Sequence, residues 1–231
     1  MIVLGIDTST NTGGAALVTE DALIGEYVLN VETNHSDRLL PAIQRVLADA
    51  QIEIKDVAGI AVVSGPGSFT GLRIGVAIAK GLAYALKKPL IGVTAFEALA
   101  WQHSQFAGVV CPIIDARRNQ VFTQAFQNQQ AITEPINCDI DQLIAWTGQQ
   151  THPILFTGDG VHLFKEQLSQ VESAVFPQRE TILLRPSSVA SFGLNQLAKG
   201  ISDHPFELVP FYMRKSSAEY QRDAMEMNHG Q

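Results

Sequence analysis

Two segments of the chain carry residue types that can hold a phosphate group. Asp7-Thr8-Ser9 follows an apolar run and combines a carboxylate, which can hold a metal-bound water, with hydroxyls and backbone N–H groups. The segment from Gly65 to Gly71 bridges a predicted strand and a predicted helix, where glycines allow close backbone approach and the helix N-terminus favours an anion. The candidate residues of this second segment are Gly65, Gly67, Ser68, Thr70 and Gly71.

Each segment also has a structural interpretation without a ligand. The first is typical of an Asx or Ser/Thr turn between hairpin strands. The second is typical of a tight strand-to-helix connection under close packing. It is neither a Walker loop, since it lacks GKS or GKT, nor a GxGxxG motif. The residue pattern alone leaves both interpretations open.

Residues for other kinds of catalysis are missing or scattered. No two of the six histidines are spaced at i and i+4, so no metal site is expected, and no GxSxG elbow indicates a serine hydrolase. Cys111 and Cys138 form neither a CxxC motif nor a zinc spacing. Both are predicted to be free, structural thiols.

Apolar runs and helical periodicity indicate the elements that would position these residues. In the first half they predict strands over 2–7, 14–18, 22–31, 58–64 and 90–93, and helices over 39–50, with Ser36 as a candidate N-cap, 72–86 and 95–103. In the second half they predict strands over 109–115, 121–126 and 154–157, and helices after Gly160 and over 188–199.

The two halves of the chain begin alike. Ile6-Asp7 and Ile114-Asp115 each end a strand and precede a polar turn and another strand. This weak internal repeat is typical of tandem βββαβα halves, and it predicts a two-lobed α/β fold of the actin-like or hexokinase-like ATPase class. We expect the lobes to span 1–104 and 105–213, followed by a flexible tail at 214–231.

The second half lacks part of what a complete nucleotide site in such a fold requires. The turn equivalent to the first acidic loop is Asp115-Ala116-Arg117-Arg118, which contains no glycine. Two arginines cannot form the same backbone cradle, although they could bind a carboxylate of a partner. Thr157-Gly158-Asp159-Gly160 is glycine-rich but reads as an ordinary turn.

Composition narrows the class of partner. The 231 residues are 46% hydrophobic and carry a net charge of −7, which is typical of a well-packed acidic globular protein. Proteins that bind RNA alone usually show a basic footprint, so any contact with RNA is expected to need a second protein. The N-terminal residues show no basic leader and no long apolar run, which predicts a cytoplasmic protein without a membrane span.

The run from Gly65 to Gly75, with Ile6-Asp7-Thr8 upstream, closely resembles the TsaB (YeaZ) family. These proteins are accessory subunits of the bacterial machinery that makes threonylcarbamoyladenosine in tRNA. Further matching pieces are His35 with Leu39-Leu40-Pro41, Pro89 to Val93, Ile114 to Arg117, and Pro210 to Arg214. The resemblance spans nearly the whole chain.

The resemblance implies a subunit without its own catalysis. TsaD, the catalytic relative, carries the metal motif N-H-x-E-x-H, and the two histidine positions are Ala95 and Leu99 in this chain. Neither side chain can bind a metal. We therefore expect no metal and no tightly bound cofactor, and at most weak or interfacial ATP or ADP.

The resemblance also implies partners. TsaB-like proteins pair with a TsaD-type subunit through the first two helices, self-associate through a similar surface, join a TsaE-type ATPase, and meet tRNA only through the complex. The alternative is that both helices simply form the core. The rival functions are an independent ATPase using Asp7 and the 65–71 loop, and a residual metallopeptidase. The expected interface residues are Leu39, Leu40, Ile43, Val46, Leu47, Arg73, Ile74, Gly75, Ala77, Ile78, Gly81 and Leu82.

Overall fold

The computed structural model describes residues 1–31 and 35–214 and contains two mixed sheets flanked by helices. The first sheet has the strand order β3-β2-β1-β4-β5, in which β1 to β3 are antiparallel and β1, β4 and β5 are parallel. The elements of this half are β1 (Val3–Asp7), β2 (Thr12–Val18), β3 (Leu23–Asn30), α1 (His35–Ala50), β4 (Gly59–Gly65), α2 (Phe69–Leu86), β5 (Leu90–Thr94) and α3 (Ala95–Gln102).

The second sheet has the order β10-β7-β6-β11-β12, and the short strands β8 and β9 extend it beside β6. As in the first sheet, one side is antiparallel and the other is parallel: β10, β7 and β6 are antiparallel, and β6, β11 and β12 are parallel. Its elements are β6 (Val109–Asp115), β7 (Gln120–Thr123), β8 (Phe126–Gln127), β9 (Gln130–Ala131), β10 (Ile136–Asp139), α4 (Ile140–Thr147), β11 (Ile154–Thr157), α5 (Gly160–Leu168), β12 (Ala174–Val175) and α6 (Pro186–Ala198).

The two sheets repeat one plan, as the sequence predicted. Asp7 ends β1 and Asp115 ends β6, the corresponding central strands. Each carboxylate accepts a hydrogen bond from the backbone N–H two residues on, at 2.8 Å from Ser9 and 2.7 Å from Arg117. Both turns are therefore Asx turns, which stabilise the exit from a strand without a ligand.

Helix α1 buries the apolar face on which the interface prediction relied. Leu39, Ile43, Val46 and Leu47 lie in the hydrophobic core of the first lobe. This corrects the sequence-based assignment of these four residues to a partner interface, since they are already covered by the chain itself. Leu40 is the member of the α1 set that stays exposed, at 45%.

Helix α2 begins at Phe69, three residues before the predicted start, because Ser68 caps it by accepting a hydrogen bond from the Gly71 N–H. Its buried face packs mainly against β4. By length and composition alone α2 could cross a bilayer, a test that core helices of globular proteins also pass. The residues buried on its inner face are Gly71, Leu72, Gly75, Val76, Ala79 and Ala83.

The end of the described chain returns to the first sheet. Helix α6 packs on β1, β2 and β4, and a Cβ on Gly5 would lie closer than 3.0 Å to the α6 backbone, so glycine is what permits this approach. Residues 203–214, which we call the C-terminal strap, then follow β5 and α2. The first lobe therefore contains α6 and the C-terminal strap as well as the first part of the chain. A boundary between residues 104 and 105 separates the strands of the two sheets, but residues on both sides of it belong to the first lobe. Residues 215–231 of the predicted tail lie outside the described residues.

Candidate functional site at the junction of the two lobes

The glycines of the 65–71 segment sit against backbone oxygens of neighbouring loops. A Cβ on Gly67 would lie closer than 3.0 Å to the Ser9 carbonyl oxygen, and a Cβ on Gly71 would clash in the same way with the Thr8 carbonyl oxygen. Gly65 meets the Phe211 carbonyl oxygen of the C-terminal strap. Close backbone packing therefore requires each of these three glycines.

The polar groups of the two predicted phosphate segments bind each other. The Ser68 N–H donates to the Ser9 carbonyl oxygen at 2.6 Å, and the Thr8 hydroxyl donates to the Gly71 carbonyl oxygen at 2.7 Å. The Leu72 N–H donates to the Ser68 carbonyl oxygen. These bonds join the two segments to each other and pair the Ser68 and Leu72 N–H groups within the chain, and phosphate binding by the two segments stays a prediction.

Asp7 lies at the bottom of this junction with part of its carboxylate unsatisfied. Its side chain is fully buried, and its Oδ2 atom has no hydrogen-bond partner among the described residues. The hydroxyl of Ser9 is also buried without a partner there. Burial raises the pKa of Asp7 to about 6, against the hydrogen bond from the Ser9 backbone N–H, which lowers it. The site therefore favours a protonated Asp7 more than an ordinary surface carboxylate would.

A second carboxylate, the half-buried Asp159 of the other lobe, lies close enough to Asp7 to interact with it electrostatically. It follows β11, its Oδ1 accepts a hydrogen bond from the Asp115 N–H at 3.3 Å, and burial raises its pKa to about 6. The negative charge of Asp159 contributes to the raised pKa of Asp7. The sequence analysis interpreted Thr157-Gly158-Asp159-Gly160, which contains Asp159, as an ordinary turn. The two halves of the chain repeat one plan, in which β11 corresponds to β4. The segment after β11 therefore corresponds to the glycine segment at the end of β4, and this correspondence could have identified Asp159 as a site residue.

The positions that hold metal-binding histidines in the TsaD motif are apolar and buried here. Ala95 and Leu99 line a small cleft between the lobes, together with Ser9, Asp159 and Ile114. Ala95 opens α3, which begins with a capping box formed by Thr94 and Glu97. Within residues 1–31 and 35–214, no group of three or more His, Cys, Asp or Glu side chains is placed to hold a metal ion.

The turn after β6 differs from its counterpart in the first lobe. Arg117, Arg118 and Asn119 all have positive φ angles, of 64°, 55° and 63°. The Arg117 side chain is 81% exposed and its Nη1 lies 3.4 Å from the Asp115 carboxylate. The turn therefore presents two arginines outward and, as the sequence indicated, forms no glycine cradle.

The predicted partner residues of α2 divide by exposure. Arg73, Ala77 and Gly81 are exposed, and nothing lies within 4 Å of a Cβ placed on Gly81. Ile74, Ile78 and Leu82 are half-buried along the edge of the first-lobe core. Gly75 is buried, and a Cβ there would meet the Thr8 hydroxyl. The outer face of α2 thus remains available, and its role in partner binding remains a prediction.

Comparisons with known proteins give consistent matches along most of the chain. The family model of TsaD, tRNA N6-adenosine threonylcarbamoyltransferase, matches residues 29–221. The tRNA threonylcarbamoyladenosine biosynthesis protein TsaB of Bacillus subtilis is 36% identical over 225 residues, which cover 95% of this chain and 96% of the relative.

Solved structures agree with this match and extend it to the fold. A Pseudomonas aeruginosa protein described by its similarity to peptidase YeaZ superposes with a TM-score of 0.80 at 26% identity, covering 92% of this chain and 99% of that one. An inorganic polyphosphate/ATP-glucomannokinase from an Arthrobacter strain shares the fold, with a TM-score of 0.55 at 11% identity over 87% of this chain and 99% of that one. The predicted two-lobed actin-like or hexokinase-like fold is confirmed.

Proposed function

The chain belongs to the TsaB (YeaZ) family of tRNA threonylcarbamoyladenosine biosynthesis proteins, and from that premise we propose that it is a non-catalytic accessory subunit of the complex that makes this modification. In this proposal it pairs with a TsaD-type subunit, which carries the transfer chemistry. A TsaE-type ATPase joins the pair, and tRNA is met only through the assembled complex in the cytoplasm.

One observation carries the non-catalytic part of the proposal. The glycine segment that could have cradled a phosphate is filled by the carbonyl oxygens of Thr8, Ser9 and Phe211. A carbonyl oxygen repels a phosphate, and displacing these three would separate β1, α2 and the C-terminal strap. Catalysis of phosphate chemistry needs donors aimed at the developing charge, and the N–H groups of Ser68, Gly71 and Leu72 in this segment are already paired within the chain.

The rival activities find less support in the same residues. An independent ATPase would rely on Asp7, whose fully buried side chain has no exposed surface on which to hold a metal-bound water. A metallopeptidase would require ligands where Ala95 and Leu99 lie, and neither side chain offers a donor atom.

The outer face of α2 supports the partner part of the proposal. Ala77 and Gly81 leave little side chain on this face, so the backbone of another helix can approach closely, and half-buried Ile74 and Ile78 flank them. Leu40 of α1 adds an exposed apolar side chain from the neighbouring helix. In the proposal, the TsaD-type subunit and, in its absence, a second copy of this chain use this face.

Reconstitution tests the proposed function directly. We expect tRNA threonylcarbamoylation by a TsaD-type subunit and its companions to be lost when this chain is omitted. We also expect the purified chain alone to turn over no ATP and to show no metal-dependent peptidase activity. Modification that continues without the chain, or ATP turnover by the chain alone, would contradict the proposal.

The substitution Ala77→Glu tests the interface. It places a charge in the middle of the outer face of α2, where desolvating an unpaired carboxylate would weaken association by about tenfold or more. Ala77 is preferable to Ile74, because Ile74 also packs against the first-lobe core and its substitution could unfold the lobe. Association with the TsaD-type subunit is measured by calorimetry, with circular dichroism as the check on folding.

The matched control is Ala145→Glu, the same change on an exposed alanine of α4 in the second lobe. It should leave association unchanged. Equal association by the folded Ala77→Glu protein and the control would remove α2 from the interface.

A further inference from the structure

Four arginines lie along a continuous path from the start of α2 to the turn after β6. Arg73 of α2 donates through Nε to the Tyr212 hydroxyl at 2.9 Å. Two residues further along the C-terminal strap, the Arg214 guanidinium donates to the Ala116 carbonyl oxygen at 2.9 Å. Arg117 and Arg118 are the next two residues after Ala116 in the chain. We call Arg73, Tyr212, Arg214, Arg117 and Arg118 the arginine strip.

The strip is unusual for this protein because the chain as a whole is acidic, with 16 basic and 23 acidic residues. The carboxylates that accompany the strip are few. Asp115 pairs with Arg117, and Asp139 lies across from Gln120 in the register of β10 and β7. Arg118 makes no ion pair with another described residue. Arg73 and Arg214 make none either, so three of the four guanidinium groups have no carboxylate partner among the described residues.

The backbone at Arg117 and Arg118 shows that these side chains are not there for the sake of the turn. Both residues have φ angles in the left-handed region, which side chains with a Cβ avoid. Asn and Gly adopt this region at a lower cost than arginine, so they would give the same backbone with less strain. Strain that a simpler sequence would relieve is characteristic of functional segments.

Aromatic rings cluster at the Arg73 end of the arginine strip. The Arg73 guanidinium lies 3.8 Å from the centroid of the Phe69 ring, and the Phe69 and Tyr212 centroids are 4.7 Å apart. Phe211 and Tyr212 are 37% and 38% exposed. Unpaired cations next to partly exposed aromatic rings suit a nucleic-acid strand, in which every nucleotide supplies both a phosphate and a base that can stack.

We propose that the arginine strip contacts the sugar-phosphate backbone of the RNA substrate, with Arg117 and Arg118 as its principal phosphate contacts. This inference rests on the proposed function, because the strip is too small to hold RNA alone and acts only beside the TsaD-type subunit. It begins at Arg73, on the helix proposed to meet that subunit. An RNA bound across both proteins would therefore run onto the strip at the edge of their interface.

The test replaces the strained turn by one that favours the same backbone without charge. The double variant Arg117→Asn/Arg118→Gly is combined with the TsaD-type subunit, and binding of unmodified substrate tRNA to the complex is measured between low and physiological salt. We expect tRNA affinity to fall several-fold, and the slope of log affinity against log salt to decrease by about 1 to 2, since each lost phosphate contact removes about one counterion. The isolated variant should also melt at a higher temperature than the natural chain.

The control removes two charges elsewhere in the second lobe. Lys165→Asn/Arg179→Asn changes two exposed basic residues of α5 and the short helix Arg179–Thr181, and it should leave both the affinity and the salt slope unchanged. Modification by the natural complex is confirmed first, so that failure of the proposed function is seen before the variants are compared.

Three outcomes would overturn the inference. An unchanged salt slope for the turn variant excludes phosphate contacts by Arg117 and Arg118. Weaker assembly with the TsaD-type subunit, at unchanged tRNA affinity of the assembled complex, would show that the arginines bind a protein carboxylate instead. A lower melting temperature would show that the turn is not strained.

Discussion

At the scale of single residues, Asp7 is the most unusual group, because its ionisable carboxylate lies in a fully buried position. It is a carboxylate with no exposed surface and one oxygen without a partner among the described residues, and the charge of the half-buried Asp159 acts on it. The sequence indicated that Asp7 ends a strand and begins a polar turn, and that is where it lies. Its burial and its neighbour could not be predicted, because Asp159 is 152 positions away and comes close only when both lobes are built.

The raised pKa of Asp7 predicts a definite pH dependence. The folded chain holds the proton up to about pH 6, whereas an unfolded chain releases it near 3.8. Stability from this group is therefore fully present below about pH 4 and is lost as pH rises to about 6. Asp159, whose pKa is also raised to about 6, acts in the same direction.

Asp7→Asn tests this expectation. The amide oxygen can still accept the Ser9 N–H, and the buried charge is gone. We expect the variant to be more stable than the natural chain by about 1 to 3 kcal/mol at pH 7.5 and nearly equal to it at pH 4. Urea unfolding at the two pH values provides the measurement, and exposed Asp21→Asn is the control. A stability gain that does not depend on pH would refute the electrostatic explanation.

At the scale of elements, local patterns predicted which residues share a face but not what that face meets. The apolar stripe of α1 was identified correctly, yet Ile43 and Val46 were assigned outward because periodicity carries no direction. Element ends moved where a cap decided them: α2 begins after Ser68, and Ser36 lies inside α1 rather than at its start. The short strands β8, β9 and β12 and helix α4 depend on pairing in the folded lobe and were not predicted.

Two glycines of α2 provide a test within one helix. Gly71→Ala would drive a methyl group into the Thr8 carbonyl oxygen, and we expect a loss of about 1 to 3 kcal/mol. Gly81→Ala meets open space, and it should stabilise the isolated chain by about 0.5 to 1 kcal/mol because alanine is the better helix former. Chemical denaturation of both variants measures the difference. The same sign of change in both would show that the 65–71 segment is not closed by backbone packing.

At the scale of the whole molecule, a buried ion pair joins the two ends of the first lobe. The Glu26 side chain of β3 is 4% exposed and pairs with Arg185, and its other oxygen accepts the Ser187 N–H at the start of α6 at 2.8 Å. These partners are about 160 positions apart, so no local pattern could link them. Repeats and apolar runs predicted the two sheets, but only the folded chain shows that α6 completes the first of them.

Glu26→Ala measures how much the contacts of Glu26 with Arg185 and Ser187 contribute to the free energy of unfolding. It leaves the Arg185 guanidinium and the Ser187 N–H without their acceptor, and we expect a loss of about 2 to 4 kcal/mol in the free energy of unfolding. Glu20→Ala removes an exposed ion pair with the N-terminal amine and should cost much less, because both groups stay solvated. Similar losses for the two variants in urea unfolding would show that the contacts of Glu26 are not a major contribution.

The return of α6 to the first sheet affects the order in which the chain can fold during translation. β1, β2 and β4 leave the ribosome early, but one face of their sheet stays uncovered until residues 186–198 have been synthesised. At ordinary rates of protein synthesis this delay lasts about 5 to 30 seconds. During that time the nascent chain exposes an apolar surface to chaperones and to neighbouring chains. Ribosomes that stop before Pro186 would release a protein that lacks α6, so its second sheet can form but one face of its first sheet stays uncovered.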